Sequence, residues 1–161
     1  MLLGQRGDHL NYEELQIDHS HIPIIEMDLT DVDGLKGLYY DGMIAIEQKL
    51  SRTEKSCILA EELGHYYTTY GDILNQSDTG NRKQELRARK WAYDRQVGLI
   101  GIIRCYEHGC QSIAEMADYL EVTEEFLHEA LSHYKRKYGL STNIDRYIIY
   151  FEPTLLVGKI D

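Results

Sequence analysis

The segment Ser51-Arg52-Thr53-Glu54 limits this chain more than any other. A Ser three residues ahead of a Glu is a capping box: the hydroxyl accepts from the third helical N–H, and the carboxylate reaches back to the cap's own N–H. A helix therefore starts here and should run through Cys57-Ile58-Leu59-Ala60-Glu61-Glu62-Leu63-Gly64-His65-Tyr66-Tyr67, fading before Gly71. On that helix Glu61 and His65 are one turn apart and share a face, while Glu62 stands one step round. Cys57, Ala60 and Gly64 are small enough to let another element come close.

The preceding residues define a hairpin. Gly37-Leu38-Tyr39-Tyr40 and Met43-Ile44-Ala45-Ile46 flank Asp41-Gly42, a strong two-residue turn signal. Ile22–Met27 reads as a further strand, and a first helix is expected over 11–19, with Tyr12, Leu15, Ile17 and His19 on its inner side. Together these give a small antiparallel sheet. A second long helix is expected over 81–97, and Gly98 and Gly101 should break or bend the chain after it.

The last third is helical again. Helices over 112–120 and 123–131, the second capped by Thr123, have helix-turn-helix spacing, with Ala117, Val122 and Leu127 at the packing positions. A DNA reader sets the start of its second helix against phosphates, and here that start carries Glu124, Glu125 and Glu129. A packing unit or protein-contact surface is the better expectation. Tyr147–Pro153 should add a strand.

The class follows as α+β, in two parts: residues 1–104 carrying sheet and helix pair, and residues 105–161 a helical segment ending in a strand and packed on the first. With 27 acidic and 17 basic residues the net charge is −10, which opposes direct nucleic-acid contact. The two dense basic stretches, Arg82–Lys90 and Lys135–Lys137, read as solvated helix faces. No apolar run approaches membrane-spanning length and the N-terminus lacks a signal-peptide core, so a cytoplasmic location is expected. Three cysteines, Cys57, Cys105 and Cys110, form no disulfide pattern.

The frame Glu61-Glu62-x-x-His65 departs by one residue from H-E-x-x-H, in which two helical imidazoles bind zinc beside a glutamate base. Two ligands plus a base would suit a hydrolytic metal site, and a third ligand should come from the next helix. Glu85, with Ala88 and Ala92 on its face, is the best candidate. Asp72 is the alternative, on the helix's own extension.

In this combination, GLYYDGMIAI, LSRTEKSCILAEELGHYYTTYGDIL, NRKQELRARKWAY and the tail YIIYFEP, the chain resembles the ImmA/IrrE family of small metallo-endopeptidases, especially versions carried by prophages and integrative elements. The resemblance spans about Tyr12 to Pro153. It implies a minimal zincin-like fold with an active-site helix, usually HExxH, and a following helix of pattern E-x-x-A-x-x-[FWY]-A. By matching positions, His65 and Glu85 would be zinc ligands and Glu62 the general base, with Glu61 standing where a histidine ligand usually stands.

The implied activity is cleavage of a Cro/CI-like helix-turn-helix repressor, making the protein an anti-repressor that does not touch DNA. A catalytically weak protein that regulates a repressor by binding it is the alternative. With Glu61 and Glu85 both charged, less of the ion's charge is left to polarise a water. Slower hydrolysis at neutral pH, or a shift from zinc toward an oxygen-preferring ion such as manganese, is expected.

Overall fold

The computed structural model describes residues 9–69 and 78–161. Asp72 lies outside them. The chain divides into two units, Leu10–Ala92 and a second made up of His9 with Tyr93–Asp161. The dividing point falls between Ala92 and Tyr93, inside a helix; residue 104 falls inside the next one.

In the first unit, α1 (Tyr12–Asp18) is opened by Asn11, whose side chain accepts from the Glu14 N–H while the Glu14 carboxylate accepts from Asn11's own N–H. It buries Tyr12 and Leu15 and packs on the long helix described below. His19, just past its end, is also buried, but Ile17 is 73 % exposed and does not join the inner face as expected.

Three strands follow: β1 (Ile24–Met27), β2 (Gly37–Tyr40) and β3 (Met43–Glu47). At the β2–β3 turn Asp41 and Gly42 both have positive φ, 47° and 78°, the conformation that matches the twist of a two-residue hairpin. The sheet order is β1-β3-β2. Tyr40 pairs with Met43 and Gly37 with Ile46 in the antiparallel hairpin, but Ile24 pairs with Ile44 in parallel. The expected antiparallel sheet is therefore mixed, since β1 adds to the far side of β3 in β3's own direction.

β3 is the central strand and is buried from Ile44 to Glu47. That burial includes a carboxylate. Glu47 Oε2 accepts from the Leu29 N–H at 2.6 Å and Oε1 from the Lys49 N–H at 3.0 Å, so two backbone donors offset its desolvation.

Helix α2 (Arg52–Thr68) begins with the Ser51–Glu54 capping box as read from the sequence. It buries Cys57, Leu59, Ala60, Leu63 and Gly64 and packs on β2 and β3. α3 (Asp78–Gln96) starts three residues earlier than expected and buries Ala88 and Ala92 completely.

In the second unit, α4 (Gly98–His108) starts at a positive-φ glycine, Gly98 at 63°. Tyr134 caps this bend, its hydroxyl accepting from the Gly98 N–H at 3.1 Å and donating to Asp94 Oδ1 at 3.0 Å. Gly101 breaks nothing. It lies inside α4, where Leu120 Cδ2 packs against the space a Cβ would take.

α5 (Ile113–Leu120) and α6 (Glu124–Tyr138) form the expected helix pair, with Ala117, Val122 and Leu127 buried and Thr123 as the α6 cap. The turn between them places Glu121 at φ 55°. The tail is more than one strand: β4 (Ser141–Ile144), β5 (Tyr147–Tyr150) and β6 (Leu156–Lys159) make an antiparallel meander. The three cysteines are free, and burial pushes the Cys105 thiol up to about 12. Among the described residues no helix is long and apolar enough to cross a membrane.

Candidate metal centre

The site is assembled where α2 and α3 touch through their backbones. A Cβ built on Gly64 would stand 2.9 Å from Ala88 Cα and closer still to its carbonyl oxygen, so only glycine allows this approach. One turn further along both helices, Tyr67 stacks on Trp91, with ring centroids 5.3 Å apart and planes at 21°. These two contacts fix the helices' register. His65 follows Gly64 and Glu85 precedes Ala88 by three residues, so the two side chains meet, with His65 Nε2 3.2 Å from Glu85 Oε1.

The remaining wall is the edge strand β2. Tyr40 and Met43 close the hairpin, so Leu38 and Tyr40 turn their polar groups to β3, while Gly37 and Tyr39 turn theirs outward. Gly37 sits directly over Glu62: a Cβ there would lie 2.9 Å from Glu62 Oε1 and 2.5 Å from Ile58 Cγ2. The glycine is needed for space, because its φ is not in the positive region. A cavity of about 400 Å³ opens at this point, lined by Gly37, Tyr39, Glu62, His65, Gln84 and Glu85 among others.

The electrostatics divide the three side chains into two roles. Burial pushes the Glu62 carboxyl up to about 7; the His65 charge opposes that rise, while Glu61 and Glu85 add to it and the Tyr39 backbone amide opposes it weakly. The hydrogen bond that His65 donates to the Glu85 carboxylate raises His65 above its ordinary value, against the effect of burial. The same bond lowers Glu85. His65 and Glu85 thus form a mutually stabilised pair beside a carboxyl poised near neutrality.

Two ligands of a tetrahedral zinc, each about 2.0–2.2 Å from it, stand roughly 3.3 Å apart. The His65–Glu85 separation fits that spacing as well as it fits a hydrogen bond. Glu61 is one turn before His65 on α2, and its charge acts on both Glu62 and His65. Among the described residues no three His, Cys, Asp or Glu side chains gather into a group that would enclose an ion. The structure therefore brings together two of the expected donors and the expected base.

Tyr66 and Tyr67 do not line the cavity. Tyr67 donates to or accepts from His19 Nδ1 at 2.8 Å and packs on Trp91, and Tyr66 packs edge-on against Tyr39. Two participants escaped the sequence reading: Gly37, whose only signal was a glycine opening a strand, and the Tyr67–Trp91 stack, which needs the helix pairing to be known. At the other end of the chain, Glu129 accepts from the Tyr93 hydroxyl at 3.1 Å, so it serves packing within its unit, while Glu124 and Glu125 are exposed.

A mixed three-stranded sheet, a helix carrying a half-buried glutamate and a histidine beneath its edge strand, and a second helix answering with a carboxylate define a small zincin-like domain of metallopeptidase type. The chain belongs to the Peptidase M78 family, whose IrrE N-terminal-like domain its residues 17–132 match. No curated protein and no solved structure matches it.

Proposed function

We propose that the protein is a metal-dependent endopeptidase of the cytoplasm, with Glu62 as general base and His65 and Glu85 as ligands of a divalent ion, zinc or manganese; Glu61, not gathered with them among the described residues, has no place on the ion in this reading. The observation that carries this reading is geometric: Glu62, His65 and Glu85 line one cavity, with His65 Nε2 3.2 Å from Glu85 Oε1 and the Glu62 carboxyl beside them beneath β2. A carboxylate so placed can take a proton from a water in the cavity and return it to the leaving group.

An ion held by the pair would supply Lewis acidity toward the scissile carbonyl and the attacking water. The residues of the chain do the rest. The outward edge of β2, at Gly37 and the Tyr39 carbonyl, offers backbone partners to an extended peptide, while the Tyr39 amide is turned to Glu62. Glu62 takes a proton from the water on the cavity side and passes it to the leaving amine. Burial beneath β2 keeps the carboxyl near neutrality and holds it where that transfer occurs.

The substrate in this reading is a helix-turn-helix repressor, cleaved to relieve repression. It is supported by the resemblance to anti-repressor proteases and by exposed Glu124 and Glu125 at the start of α6, which complement a basic DNA-binding surface. The test is proteolysis of a co-expressed candidate repressor by the parent and by Glu62→Gln. The variant should lose about 10²–10⁴-fold in rate while keeping its melting temperature. Equal cleavage by both would refute the role of Glu62. Loss of repressor function without cleavage by either would favour regulation by binding.

A further inference from the structure

The basic stretch of α3 has a one-sided distribution that a merely solvated helix does not need. At about 100° per residue, Arg82, Lys83, Leu86, Arg87, Arg89 and Lys90 fall within roughly 160° of the circumference. Ala88, Ala92, Glu85 and Gln84 occupy the opposite side, toward α2 and the cavity. All five cations are exposed, and Leu86 at their centre is 45 % exposed.

This face holds five of the chain's 17 basic residues, in a protein with 27 acidic ones. None of the ion pairs among the described residues engages any of the five. The Glu85 carboxylate acts on Arg89, and Asp94 follows Lys90 by one turn. Lys83 and Arg87 are one turn apart, as are Arg87 and Lys90, and like charges so placed repel. Arg82, Lys83 and Arg87 form no ion pair among the described residues.

We propose that this face of α3 is a docking surface for an acidic, extended segment of the protein substrate; the inference rests on the endopeptidase reading. Residues 82 to 90 span about 12 Å along the helix, the length of roughly four extended residues. Such a segment sets its carboxylates against the five cations and an apolar side chain against Leu86. The same helix supplies Gln84 and Glu85 to the cavity wall, and around the helix the basic face begins beside them, Arg87 next to Gln84 and Arg89 next to Glu85. A nucleic acid is the weaker match: a short stripe on a chain of net charge −10 must bind an extended phosphate ladder against long-range repulsion.

The experiment is fluorescence anisotropy with the full chain and a labelled hexapeptide of glutamates around one leucine, compared with its glutamine counterpart. A 12-nucleotide single strand is the second probe. The parent should bind the acidic peptide at least about tenfold more tightly than the glutamine one, and this preference should fall about tenfold between low and physiological salt. The variant Arg82→Glu/Lys83→Glu/Arg87→Glu/Lys90→Glu should lose it. The neutral set with Gln at the same positions should lose it in part, with the circular dichroism of both variants unchanged.

Equal binding of the two peptides by the parent, an undiminished preference in the Glu variant, or tighter binding of the oligonucleotide would overturn the proposal. Cleavage assays separate the two readings. If the acidic peptide binds but the parent hydrolyses nothing, the peptidase reading fails and the docking surface stands. If a protein substrate is cleaved with an unchanged KM by the Glu variant, the docking surface fails and the peptidase stands.

Discussion

The substitution Gly64→Ala opposes two effects of known sign. In a helix interior, alanine is favoured over glycine by about 1 kcal/mol, so at a solvent-facing site the change would stabilise the protein. At Gly64 the new methyl meets the Ala88 backbone, at 2.9 Å from its Cα and closer to its carbonyl. Backbone cannot rotate away as a flexible side chain can. Overpacking typically costs about 1–3 kcal/mol, and a rigid partner places this case at the upper end, so the net loss should be about 2 kcal/mol. For a domain of this size that corresponds to roughly 4–8 °C in Tm. Thermal unfolding followed by circular dichroism reads it directly. A second readout is local: separating α2 from α3 should remove the coupling between His65 and Glu85 measured in a double-mutant cycle. An unchanged or raised Tm would mean that the helices do not touch at this point, and the site would lose the contact that pairs His65 with Glu85.

The His65–Glu85 pair also predicts a pH signature in chelator-treated protein. Raised His65 contributes stability that is full below its unfolded value of 6.5 and lost as pH rises through its folded value; lowered Glu85 contributes stability present above its unfolded value of 4.5 and lost as pH falls through its folded value. The contribution is thus largest between those two ordinary values, and urea titrations across pH should show it vanish in His65→Ala. Glu47→Ala leaves the Leu29 and Lys49 amides without their acceptor and should cost about 2–3 kcal/mol in denaturant melts; a loss below about 0.5 kcal/mol would show that water replaces the carboxylate. Ser51→Ala removes the α2 cap and should cost about 1 kcal/mol, read as a shift in urea midpoint with unchanged m-value.

How much of the molecule was legible follows from where each signal resides. The α2 start, the Asp41-Gly42 turn and the α6 cap are written in three or four consecutive residues, and each stands in the structure as read. The spacing of Glu85, Ala88 and Ala92 was legible for a related reason: a helix face repeats locally, and the small residues on it announce a close neighbour. The parallel placement of β1 was not, because Ile24 meets Ile44 across a gap that no local pattern encodes. β4 and β6 were missed because Ser141–Ile144 and Leu156–Lys159 are short and half-exposed, and their sequences STNI and LVGK carry no apolar–polar alternation to announce a strand. Gly101 was misread for the opposite reason, since its local signal is that of a breaker while its cause is Leu120, nineteen residues away.

The same division runs through the site. Glu62 stood out as the candidate base from its place beside Glu61 and His65, but its elevated value comes from Gly37 and β2 lying over it, which no motif on α2 records. Gly37 links the two levels. A strand loses propensity and packing with a glycine, and this strand accepts that loss at the one position where a methyl would collide with the carboxylate and with Ile58. The departure at residue 61, the most conspicuous feature of the sequence, changes the charge around the pair. The geometry around Glu62 is set instead by two glycines, Gly37 above the carboxylate and Gly64 against α3, whose significance lies in what their missing side chains allow to approach.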